Sequence, residues 1–207
     1  RTVRKPMNSE ERKLFLQQYK WGVVAFVIIY LLLTIMRDLR DNYMANMWNE
    51  LGYAKNAAVF AKTETITSLA VLALIGTLVF VRKNMKAFRM IHWLLMLGFV
   101  LAGAASLLFH LKMLDGALWM QLTGLGLYIA YVLFNSVFFE RLLATFGVAG
   151  NVGFLIYLAD AWGYLGSISV MLSKELFKLQ LNWVSFYSLL VIVFAVIGVA
   201  ASLFSYN

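Results

Sequence analysis

VGFLIYLADAWGYLGSISVML, residues 152–172, is an apolar run whose one charged residue, Asp160, lies near its middle. As a helix rising 1.5 Å per residue it measures about 30 Å, the thickness of a bilayer's hydrocarbon core. A carboxylate at that depth costs about 2.5–3.5 kcal/mol on insertion scales unless it is paired, protonated or facing water. Asp160 is therefore expected to serve packing specificity or function, and its partners are the first thing to look for.

The rest of the chain is of the same kind. Over 207 residues it is 62% hydrophobic and 14% charged, against about 25% charged in soluble domains. Five further apolar runs, Trp21–Met36, Ala57–Val81, Met90–Leu111, Leu118–Phe139 and Trp183–Phe204, predict transmembrane helices. The runs are continuous and do not alternate every second residue, which excludes a β-barrel. The fold class is all-α: a polytopic membrane protein of six spans over residues 14–207, preceded by a basic linker over residues 1–13. The first residue is Arg1 and the only proline, Pro6, falls in that linker, so the chain reads as a piece of something longer. Span one begins as a helix at Leu14 and extends past Met36, since Leu39, Tyr43, Met47 and Leu51 recur every fourth residue before Gly52.

The net charge of +8 is distributed for a membrane and not for nucleic acid. Arg1, Arg4, Lys5, Arg12 and Lys13 precede span one, and Arg82, Lys83, Lys86 and Arg89 lie between spans two and three. The positive-inside rule then places both termini in the cytoplasm. There is no cysteine, hence no disulfide framework.

Polar residues line up on four spans at intervals of three and four, which puts each set on one helix face. Span one carries Tyr30, Thr34, Arg37 and Asp41; span two opens with Lys62, Thr63, Glu64, Thr67 and Ser68. Span four carries Gln121, Gly124, Tyr128, Tyr131 and Asn135, and span five Gly153, Tyr157, Asp160, Tyr164 and Ser167. Spans three and six have almost no such residues and are expected to face lipid. Each stripe fits helix–helix packing through hydroxyl and small residues; four together, with a midspan acid, fit a lined cavity.

Arg37, Asp38, Arg40 and Asp41 form a charged cluster about 24 Å along span one from Trp21, at the depth of Glu64 on span two. They read either as a salt-bridged cap joining the two helices or, through Arg37 or Arg40, as a guanidinium fork for an anionic ligand group. Glu140 and Arg141 are expected as an ion pair or anchor at the end of span four. His92 and His110 are expected at the two membrane interfaces. Gly147, Gly150 and Gly153 allow a tight re-entry into span five. No metal-ligand spacing, phosphate-binding glycine loop or nucleophile elbow is present, so neither a cofactor nor an enzyme is expected.

The segments RDLRDNYMANMWNELG (37–52), FFERL (138–142) and GNVGFLIYLADAWGYLGS (150–167) resemble an uncharacterised bacterial membrane family grouped with the major facilitator superfamily. The chain as a whole resembles one six-helix half of such a transporter, the C-terminal one. That resemblance implies two three-helix repeats, a bacterial inner membrane, a second six-helix half (or a self-dimer) as partner, and a small solute carried by alternating access. Asp160 would then be the coupling carboxylate, neutralised by a proton or cation, and Tyr157, Tyr164, Tyr128, Tyr131 and Asn135 would contact the solute. The alternative is a non-transporting receptor or assembly module on the same scaffold, with Asp160 held by tyrosines. The basic loop VRKNMKAFR lacks the Gly and Asp signature of major facilitators.

Overall fold

A computed structural model of the chain describes residues 7–54, 56–78, 80–81, 83–146, 151–177 and 182–206. Gly147 and Gly150, and the basic residues Arg1, Arg4, Lys5 and Arg82, lie outside the described residues. The described residues fold into helices: α1 (Ser9–Gln18), α2 (Lys20–Glu50), α3 (Ala57–Leu78), α4 (Asn84–His110), α5 (Gly116–Leu133), α6 (Phe139–Phe146), α7 (Val152–Leu176) and α8 (Trp183–Tyr206). A π-helical segment, Phe134–Phe138, joins α5 to α6 without a break. Among the described residues, six helical stretches are long and apolar enough to cross a membrane: α2, α3, α4, the α5–α6 unit, α7 and α8.

Local sequence sets the ends of these helices. Asn8 and Glu11 form a reciprocal capping box at α1, satisfying amides that have no partner within the helix. The helix expected to start at Leu14 thus starts at Ser9, and it is interrupted at Tyr19 before α2 begins. The extension of span one is a continuous helix to Glu50, ended by Gly52 at φ 88°, a conformation that suits glycine. Asp115 caps α5 through the Leu118 amide at 2.9 Å, and Glu50 accepts from the first amides of α8, Trp183 and Val184, at 2.9 and 2.8 Å. Tyr43 stacks on Trp183 at the same place, so the far end of α2 is fixed to the start of α8.

α2, α4 and α5–α6 form the centre, and α3, α7 and α8 are more peripheral. α4 packs on α5 and α8; α2 packs on α7, α8 and α5; α3 packs on α5. Small residues let the backbones approach. A Cβ at Gly126 would sit 2.9 Å from the Ala102 nitrogen, and one at Gly163 2.9 Å from Thr34 Oγ1. α7 faces α2 with Leu155, Ala159, Gly163 and Ser167, one residue per turn, all buried.

The expectation that span three is a lipid-facing support is corrected by this packing. α4 leaves a strip exposed, Trp93, Leu97, Val100 and Leu107, but buries Ile91, Leu95, Phe99, Ala102 and Ala105 between its neighbours. Having few polar residues does not make α4 peripheral, because its alanines and glycines make it a central packing helix. His92 is corrected likewise. Near the start of α4 its ring is buried, 3.0 Å from the Phe88 carbonyl and 3.4 Å from Ser205 Oγ, and does not reach solvent.

Candidate functional site

Tyr30 and Tyr131 face each other in the core because α2 and α5 bring their stripes together, with ring centroids 5.9 Å apart and planes inclined by 29°. The Tyr30 hydroxyl donates to Asp160 Oδ1 on α7. On the other side, Arg37 Nη1 donates to the Tyr131 hydroxyl while its carbon lies 4.5 Å above the Tyr131 ring. Arg37 also grips Asp38 through Nε and Nη2, at 2.9 and 2.6 Å. One continuous line, Asp160–Tyr30–Tyr131–Arg37–Asp38, therefore joins the midspan carboxylate to the charged cluster across three helices. Tyr164 lies beside Arg37 and is half exposed; Tyr157 is 77% exposed. Both flank Asp160 on α7 but neither takes part in the Asp160–Tyr30 bond.

A second cluster lies deeper in the bundle. Arg40 is 0% exposed and forks onto Glu64 of α3, Nη2 to Oε1 at 2.6 Å and Nη1 to Oε2 at 3.1 Å. It also lies 3.4 Å from the Tyr128 hydroxyl and from the Met120 carbonyl oxygen, and 5.3 Å from the Tyr128 ring centre. Tyr128 in turn donates to Asp41. Gly124 makes room for the guanidinium, since a Cβ there would stand 2.7 Å from Nη2. A charge this buried is tolerated only with its partners in place.

The cluster on span one is thus divided. Arg40, not Arg37, reaches Glu64, while Asp38 takes Arg37 and Tyr128 takes Asp41. Thr34 is buried against Gly163, its hydroxyl without a hydrogen-bond partner among the described residues. Asn135 is exposed within the π-helical segment. Gln121 lies apart from Tyr131, ten residues earlier on α5 and about 15 Å along its axis, in a groove shared with Lys62, Thr63 and Asp115. Glu140 and Arg141 do not end span four, which continues through α6; Arg141 reaches Asn84 Oδ1 at 2.6 Å. Tyr187 of α8 was not anticipated. It is buried beside the Arg40 cluster with no hydrogen-bond partner for its hydroxyl among the described residues, and the signal for it was a phenol in an otherwise apolar span.

Along its whole length, residues 1–207, the chain matches a family of unknown function, DUF5690, and it belongs to that family. No curated protein and no solved structure matches it.

Proposed function

We propose that this chain is one six-helix half of a secondary transporter of the major facilitator type, with the Asp160–Tyr30–Tyr131–Arg37 line as its solute and coupling-ion pathway. The observation that carries the reading is a midspan carboxylate connected through two stacked tyrosines to a half-buried arginine. Neutralising Asp160 with a proton or cation would release Tyr30, and the change would reach Arg37 through the Tyr131 hydroxyl. An organic solute would meet Tyr157, Tyr164 and Asn135 on the exposed side of the same line, with Arg37 available to an anionic group.

The helix neighbours support the scaffold part of the reading. Exchanging span one with four, two with five and three with six maps the principal packing pairs onto one another. Such a pattern is expected of two three-helix repeats. The exposed polar face of α7 supports a covering partner, either a second six-helix bundle or a second copy, because lipid cannot satisfy polar side chains. The bacterial inner membrane, with the basic end of the bundle in the cytoplasm, completes the proposal.

One observation favours a second reading, a non-transporting assembly module: Asp160 and Arg37 already have partners inside the chain. Proteoliposomes holding the full-length protein separate the two. With a panel of amino acids, sugars and organic acids under an inward proton gradient, a transporter gives gradient-dependent accumulation of at least one, lost in Asp160→Asn. Accumulation that survives Asp160→Asn leaves Asp160 structural, and no flux with any solute, including counterflow, supports the module.

A further inference from the structure

Asp160 is half-buried and only half-bonded. Tyr30 donates to Oδ1, while among the described residues Oδ2 accepts no hydrogen bond and no basic side chain pairs with the carboxylate. Farther along the line, Arg37 and Asp38 cancel each other. One negative charge is left over, and it belongs to Asp160. A carboxylate at this depth is costly until a positive charge or a proton meets it.

Tyr157 and Tyr164 stand three residues before Asp160 and four after it, one turn to either side on the same face of α7. Both are open, Tyr157 at 77% and Tyr164 at 50% exposure. They are about 10 Å apart along the helix, which suits a compact head group. A cation drawn to Oδ2 therefore has an aromatic ring on each side, and the negative face of such a ring attracts positive charge.

This set of groups selects among ions. Hard divalent cations take about six or more oxygens, whereas a carboxylate and two phenols offer few, and no metal-holding cluster occurs among the described residues. A substituted ammonium needs only the charge and the rings. An anion fares worst, because Arg37 already gives Nε and Nη2 to Asp38 and Nη1 to Tyr131.

We propose that this face of α7 binds a small organic cation, its ammonium group resting on Asp160 between Tyr157 and Tyr164. The inference rests on the transporter reading in one respect, that the bound cation is the solute carried.

Isothermal titration calorimetry of the full-length protein in nanodiscs tests the site without any gradient. The probes are choline, tetraethylammonium and benzyltrimethylammonium. At least one should bind saturably, at least tenfold tighter than benzoate or 3,3-dimethylbutan-1-ol, the uncharged isostere of choline. Asp160→Asn should weaken that binding at least tenfold. Tyr157→Leu, a change at an exposed position, should weaken it at least threefold, while Tyr157→Phe keeps the ring and should stay within twofold of the unaltered protein. No saturable binding of any probe overturns the proposal, as does binding that Asp160→Asn leaves unchanged or a Tyr157→Leu variant that binds as tightly as Tyr157→Phe. Cation binding with no flux in proteoliposomes upholds the site and sinks transport. Accumulation of an uncharged or anionic solute with no cation binding does the reverse.

Discussion

Arg40 is fully buried and its charge is balanced by Glu64 on a helix that touches the bundle mainly through α5. Removing one partner of such a pair leaves an uncompensated charge. Glu64→Ala is therefore expected to destabilise the folded chain by about 3 kcal/mol, the low end for buried pairs because Glu64 keeps some solvent access. Thermal unfolding in detergent measures it, and a loss within error of a surface substitution would contradict the pairing. Gly124→Ala acts on the same guanidinium from the other side. Its methyl would force Arg40 to move, at a cost of about 1–3 kcal/mol for an overpacked site, and combining it with Glu64→Ala should cost less than the sum because both disturb one group. That Arg40 and not Arg37 meets Glu64 was not legible in the sequence. The two arginines are three residues apart, about 60° around the helix, and only the rotation of α2 against α3 and α5 decides between them.

Among the elements, the six spans were legible because an apolar run of membrane length has few alternatives. The irregularities were not. The π-helical segment Phe134–Phe138 lies in a stretch, FNSVF, that has neither proline nor glycine to mark it, and the central place of α4 was not legible because packing by small residues leaves no polar pattern. Small residues now make a prediction for α7. Gly163→Val would place its side chain against Thr34, at a point where a Cβ alone comes within 2.9 Å of a side-chain oxygen. It should lower the melting temperature clearly, whereas Gly76→Val on α3, where a Cβ meets nothing within 4 Å, should leave it within a degree or two. Equal effects at both positions would mean that α7 is not held to α2 through that contact.

At the scale of the whole molecule, equal exposure hides unequal surroundings. Tyr164 on α7, Leu97 on α4 and Val193 on α8 are 50%, 52% and 54% exposed, yet under the proposed scaffold the first borders a water-filled pathway and the other two meet lipid. The polar stripes were legible in the sequence, but which of them turn inward was not, since Thr63 and Thr67 face α5 while Tyr157 faces out. These 207 residues contain no cysteine, so each single substitution is read against the full-length protein without it. The most direct test is labelling of the full-length protein in membranes by a water-soluble, membrane-impermeant maleimide. Cysteines replacing Tyr164 and Tyr157 should react, and those replacing Leu97 and Val193 should stay unlabelled until the membrane is dissolved in denaturant. Labelling at Leu97 and Val193 with none at Tyr157 or Tyr164 would contradict a solute pathway along Asp160.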